Sequence, residues 1–318
     1  MPLQSTLTLC ELLDRADIDG ARISQLFASY TPLGIHCRCQ RDATQHAAGD
    51  TDFIHILLPG SQGKTVGGAA RTLGIIGRNG AIAARPARLG MVSDADGAIA
   101  ALAVALKLAK QRAGGDQLAG DVIITTHLST RAPLSQNEGI AFMGMPVDSA
   151  TMNRHEVDAA MDAILSLDAS KGNSIVKHRG FAISPTAMQG YILRVAPDLV
   201  RIMESTTGQH ALTFPISLQD ITPYDNGLYH FNSIMQPHVA SPAPVVGVAI
   251  TAQSVVGGSD SSANHEVDLA EAVRFCVEVA KRFTRADGDQ GGEFYDAAEW
   301  QRIRRLYPDL SVFQRSGA

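Results

Sequence analysis

The hydrophobic pattern is clearest between Leu89 and Thr130. Apolar positions run at helical spacing from Ala98 to about Arg112, where Ala and Leu dominate, and these are the strongest helix formers. Gly114-Gly115 supplies the stop. Asp121 to Thr126 is then β-branched and mostly apolar, the pattern of a strand buried on both faces. It delivers His127 at its C-terminal end. The stretch thus reads as loop, helix, loop, strand.

The same periodicities organise the rest of the chain. Leu9, Leu12 and Leu13, then Ile23, Leu26 and Phe27, predict one or two helices between Ser5 and Tyr30, broken at Ile18-Asp19-Gly20. Leu33 to Cys39 and Phe53 to Leu58 read as strands, the second ended by Pro59-Gly60. Arg41 to Asp50 reads as a polar loop. Leu73 to Arg85 reads as a hairpin turning at Asn79-Gly80. Ile140 to Asp148 reads as a strand ending in a carboxylate. A helix led by Asn153 is expected to run through Leu167, and another over Gln189 to Thr206, bent near Pro197. Ala211 to Leu218 reads as extended, Thr222 to Gly227 as a turn, and Leu228 to Met235 as the start of a helix. Val245 to Ile250 is a fully apolar strand, followed by a Gly-Ser loop and a helix from Asn264. Phe294 to Leu306 is expected to dock as a helix through Phe294, Trp300, Ile303 and Leu306. Alternating strands and long helices predict an α/β sheet with helices on both faces.

Composition narrows the function classes. The chain has 318 residues, 45% hydrophobic and 19% charged, enough for a large packed core. No linker-like stretch divides it, so one α/β domain over 1–318 is expected. The formal charge is −5, which with the absence of a basic face argues against nucleic acid and against anionic membrane. No run of 18 apolar residues suggests a membrane span, and the start of the chain lacks the features of a signal peptide. A cytoplasmic protein is expected. Cys37 and Cys39 alternate on one strand face, and a buried pair is preferred over a zinc knuckle.

Several residues carry candidate chemistry. Asp94 and Asp96 stand two apart just before the long helix. Ligands in open α/β sheets bind beyond the carboxyl ends of strands, so Asp94, Asp96 and His127 could meet there, with Asp148 as a third carboxylate. Asp94 and Asp96 each have an equally good reading as a cap of the long helix. His55, inside a strand, is expected to be a partnered core histidine. Gly60 to Thr65 ends like a phosphate loop, but only two residues separate its glycines where the motif has four, and no nucleotide site is expected. The echo His155-Glu-Val-Asp158 and His265-Glu-Val-Asp268 lacks the second His of a zinc motif and reads as two acid-rich helix starts.

Taken together, Ser93-Asp94-Ala95-Asp96-Gly97, Pro146-Val147-Asp148 and the region Gly180 to Ile250 are similar to the co-catalytic zinc aminopeptidase and carboxypeptidase superfamily over about residues 50–285. The whole chain more closely resembles a bacterial and archaeal family known as domain of unknown function 1177. The resemblance implies a three-layer sandwich, a mixed, mostly parallel sheet between helices. Asp94 falls at the metal-bridging position and Asp148 at a later carboxylate ligand. Other positions depart from the pattern. Ser61 and Gly63 stand where the peptidases have His and Asp, no Glu-Glu follows Thr126, and no His follows Ile250 in register. Too little chain separates Gly60 from Asp94 for an inserted lid domain. The resulting expectation is a hydrolase of an amide or peptide-like bond in a small molecule. Asp94, His127 and Asp148 would hold one divalent metal, zinc or manganese, with His127 as ligand or base and Asp96 orienting the site. The rival is a non-catalytic descendant that binds a small ligand or assembles. Related folds self-associate, so a homo-oligomer is expected.

Overall fold

A computed structural model describes residues 1–42, 50–78, 80–137, 140–173, 175–216, 233–259, 261–285 and 292–307. In chain order the elements are α1 (Pro2–Leu13), α2 (Gly20–Ala28), β1 (His36–Asp42), β2 (Thr51–Leu58), β3 (Leu73–Gly77), α3 (Asp96–Ala113), β4 (Val122–Leu128), β5 (Leu134–Asn137), β6 (Ile140–Met143), α4 (Ser149–Glu156), β7 (Ala163–Ala169), β8 (Gly180–Ile183), β9 (Ala187–Met188), β10 (Tyr191–Ile192), α5 (Pro197–Thr207), β11 (Val245–Thr251), α6 (Glu266–Phe283) and α7 (Ala297–Leu306).

The main sheet runs β1-β2-β4-β3-β7-β11-β9-β10, with β8 also on β11. Its centre, β4-β3-β7-β11, is parallel. The flanks β1, β2, β8, β9 and β10 are antiparallel. Alternation along β3 sends Leu73 and Ile75 into a large core with α1, α3 and α6, while Ile76 joins a smaller core on the other face with Ile123, Ile164 and Val245. Each such side chain, fully buried, contributes roughly 1.5–3 kcal/mol. α3 is buried on almost every side because the sheet lies under it and α1 and α6 lie over it. Its approach to β3 is close: a Cβ on Gly77 would sit 2.6 Å from the Gly97 carbonyl oxygen and 3.0 Å from Ala101 Cβ. α4 and the 3-10 turn Ser233–Val239 cover the opposite face. The architecture is the expected α/β arrangement of a mixed sheet between helices. No helix among the described residues is long and apolar enough to cross a membrane.

Several local expectations are corrected. Leu73 to Arg85 is not a hairpin: β3 pairs in parallel with β4 and β7 and leads into α3. The helix expected from Asn153 through Leu167 is two elements. α4 ends at Glu156, and Ala163–Ala169 is the central strand β7. A short apolar run such as Ala163-Ile-Leu-Ser-Leu suits either state, and pairing with β3 and β11 decides it. α5 starts at Pro197 instead of bending there, since Pro is compatible with a first helical turn. α7 packs Trp300 and Ile303 on Met188, Tyr191 and Leu193, whereas Leu306 stays exposed. Cys37 is half-buried and Cys39 exposed, so the pair is not fully interior. Thr222 to Gly227, and Leu228 to Asn232 of the helix expected there, lie outside the described residues; Ser233–Val239 is a 3-10 turn.

Two other motifs resolve clearly. The Asp121 carboxylate accepts hydrogen bonds from the amides of Gly60 (2.8 Å) and Thr65 (2.9 Å). The amides that a phosphate loop would offer to a nucleotide are therefore committed to a side chain. His55 Nε2 lies 3.1 Å from Asp158 Oδ2, the partner expected of a histidine at that place.

Candidate functional site

Three parallel strands carry polar side chains at their C-terminal ends. β3 is followed at once by Arg78, β4 holds His127 in its last turn of alternation, and β7 ends in Asp168-Ala169 and is followed by Lys171. The loops after β3 and β11 close over this edge.

The first cluster forms where α3 begins. The α3 N-cap is Ala95, so neither Asp94 nor Asp96 occupies the capping position. Asp96 is instead fully buried: its Oδ2 lies 2.6 Å from Lys171 Nζ, and its Oδ1 accepts from Asn264 Nδ2 at 2.7 Å. Lys171 Nζ also donates to the Ala263 carbonyl at 2.5 Å. The Lys171 and Asp96 side chains are 2% and 0% exposed. Asn264 Nδ2 further reaches the carbonyls of Val92 (3.2 Å) and Ser93 (3.3 Å). Asp94 is half-buried. Its amide donates to the Gly258 carbonyl at 3.0 Å, and Ser93 Oγ donates to the Gly257 carbonyl at 2.9 Å. Gly258 has to be small, since a Cβ there would lie 3.0 Å from the Asp94 carboxyl carbon.

This packing shifts the acids. Desolvation, reinforced by repulsion from Asp96 and partly offset by Lys171, pushes the Asp94 carboxyl up to about 7. Desolvation also raises Asp96, opposed by the charge of Lys171 and by hydrogen bonds from Lys171 and Asn264.

The second cluster lies on the face covered by α4. His127 Nδ1 is 2.6 Å from Glu156 Oε1, and Arg78 donates to Glu156 Oε2 at 2.6 Å. A carboxylate held by arginine acts as acceptor, so Nδ1 carries the ring proton and the lone pair resides on Nε2. All three side chains are almost fully buried. The neighbouring strand sets the Phe53 ring 5.9 Å from that of His127. A Cβ on Gly80 would lie 2.5 Å from His127 Cδ2, so the chain passes directly over the imidazole.

The four expected site residues thus fall into three settings. Asp94 and Asp96 share one cluster, and His127 belongs to another. Asp148 is the N-cap of α4, accepting from the Thr151 amide at 2.6 Å and from Thr151 Oγ1 at 3.2 Å. It follows the small β5-β6 ribbon, not a strand of the main sheet. Among the described residues, no group of three or more His, Cys, Asp or Glu side chains is placed to hold a metal ion. The donor set expected for a divalent metal does not fit that role here.

Arg78, Glu156, Lys171 and Asn264 were not among the sequence candidates. Glu156 had a signal, the His155-Glu156 pair on a helix, though that motif reads as a helix start when it sits in fact at a helix end. Lys171 and Asn264 had none: both lie in loops, and their positions follow from how β7 and β11 end.

A family model described as a protein of unknown function, DUF1177, matches residues 42–317. The chain belongs to the DUF1177 family. No match is found among curated proteins. Solved structures share the fold of this DUF1177 protein at low identity. The bottromycin maturation enzyme BotP, in complex with Mn, aligns with a TM-score of 0.53 and 13% identity, over 87% of this chain and 70% of that one. An M17 aminopeptidase from Trypanosoma brucei aligns with a TM-score of 0.50 and 12% identity, over 85% of this chain. The DUF1177 chain spans 60% of that aminopeptidase's length.

Proposed function

We propose that this protein is a hydrolase that cleaves an amide or peptide-like bond of a small molecule at the C-terminal edge of the parallel strands. The observation that carries the reading is the placement of Asp94, a half-buried carboxyl two residues from the buried Asp96–Lys171 pair, at the edge where such folds bind ligands; desolvation and the charge of Asp96 push it up to about 7. A group of that acidity exists as acid and base in comparable amounts near neutral pH. In the proposed step it takes a proton from water as oxygen adds to the carbonyl carbon, then returns it to the nitrogen as the C–N bond breaks. Asp96 positions the loop through Lys171 and Asn264. His127, its Nδ1 fixed by Glu156, belongs to the separate buried cluster and is assigned no step.

The fold is shared with an aminopeptidase and with a maturation enzyme solved with Mn, which supports the reaction class by analogy alone. A divalent metal held by Asp94, His127 and Asp148 is not supported by where those donors lie, and no step is assigned to one. The rival reading, a non-catalytic ligand-binding or assembly protein, is favoured by one observation: Asp96, Lys171, Glu156 and Arg78 are all buried and ion-paired, as structural charges are.

The test is turnover of a panel of dipeptides, N-acyl amino acids and simple amides by wild type and Asp94→Asn. The proposal expects cleavage of at least one member, reduced roughly 10²–10⁴-fold in the variant. A folded wild type that cleaves nothing in the panel, with and without added Zn²⁺ or Mn²⁺, would favour the rival.

A further inference from the structure

The mismatch between this edge and a metal centre has a specific form. A divalent ion needs several oxygen or nitrogen donors free to face it. Here the Asp96 oxygens face an ammonium and an amide N–H. Both Glu156 oxygens are taken by His127 Nδ1 and by Arg78, and this cluster is separate from that of Asp94 and Asp96. Asp148 is engaged with Thr151. Two deeply buried carboxylates at the edge are each matched by a side-chain cation: Asp96 by Lys171, Glu156 by Arg78.

We infer that Lys171 is the resident cation of this site, a covalently attached ammonium that supplies beside Asp96 the positive charge a divalent ion would supply. Three features support it. Its Nζ is buried and held at short distance by Asp96 and the Ala263 carbonyl. Its charge acts on Asp94 as well as on Asp96. Beside Asp96, Asn264 Oδ1 is buried with no hydrogen-bond partner among the described residues, an oxygen suited to a cation. The inference goes beyond the hydrolase reading and does not depend on it.

It follows that the wild-type chain needs no divalent ion for stability. Removing the ammonium should leave a vacancy lined by Asp96 and the Ala263 carbonyl that a divalent ion can enter. The experiment is thermal unfolding of chelator-treated full-length protein, with and without 1 mM Mn²⁺ (about that concentration suffices for a sub-millimolar site), for wild type, Lys171→Ala and the double variant Lys171→Ala/Asp96→Asn. Wild type should shift by less than about 1 °C. Lys171→Ala should melt about 6–10 °C lower, because Asp96 is left buried and unpaired, and Mn²⁺ should restore part of that loss. The double variant should recover much of the loss without metal and should not respond to Mn²⁺. If Lys171→Ala fails to fold, the wild-type arm and the double variant still decide. A saturable Mn²⁺ shift in wild type, or a double variant no more stable than Lys171→Ala, would overturn the assignment. None of these readouts requires turnover, so failure here is separable from failure of the hydrolase proposal.

Discussion

His127 Nδ1 and Glu156 Oε1 approach to 2.6 Å across the interface between β4 and α4, and Arg78 holds the other oxygen of the same carboxylate at 2.6 Å. One carboxylate therefore orients an imidazole and neutralises a guanidinium, all beneath the surface.

Glu156→Ala removes both functions and leaves Arg78 buried without its counter-ion. It should cost about 3–5 kcal/mol, whereas replacing Glu156 and Arg78 together with apolar residues of similar volume should cost less. Urea denaturation of the two variants checks this. Equal losses would mean that the ion pair is not the source of the effect.

Asp94 makes stability depend on pH with a definite sign. Its folded pKa, about 7, lies above the unfolded carboxyl value. Between about 4 and 7 the folded state binds more protons than the unfolded one, so stability falls as pH rises through that window. The full shift corresponds to an upper bound of about 4 kcal/mol. Asp94→Asn should flatten the profile between pH 4 and 7 and be more stable than wild type at pH 8, while losing activity. A wild-type profile that rises with pH across this window, unchanged in Asp94→Asn, would contradict the assignment.

Asp148 offers a contrast. As an N-cap whose carboxylate binds Thr151, its replacement by alanine should cost about 1 kcal/mol through loss of the cap. Turnover and any response to divalent ions should be unchanged. A large loss of activity with unchanged stability would return Asp148 to the site.

Asp121 occupies the amides of Gly60 and Thr65. Asp121→Ala leaves those donors unmet and should destabilise by about 1–3 kcal/mol. ATP should not raise the melting temperature of wild type, and a nucleotide-dependent rise would reopen the phosphate-loop reading.

Much of this molecule follows from periodicity alone. The apolar run of α3, stopped at Gly114, the strands β2, β4 and β11, and the α/β class could be read because each segment's pattern permits one state and burial agrees with it. Asp94 and Asp96 were visible as candidates because two acids before a long helix are conspicuous. What tertiary structure decided is how ambiguous segments and charges were partnered. Ala163–Ala169 became a strand because β3 and β11 supplied the hydrogen bonds on either side. Asp148 became a cap because its ribbon stands apart from the main sheet. Lys171, 75 residues beyond Asp96 in sequence, met it because parallel strands bring the ends of β3 and β7 to the same edge. Local pattern records which face of an element seeks the core, while the pairing of buried charges depends on contacts between segments that the pattern does not encode.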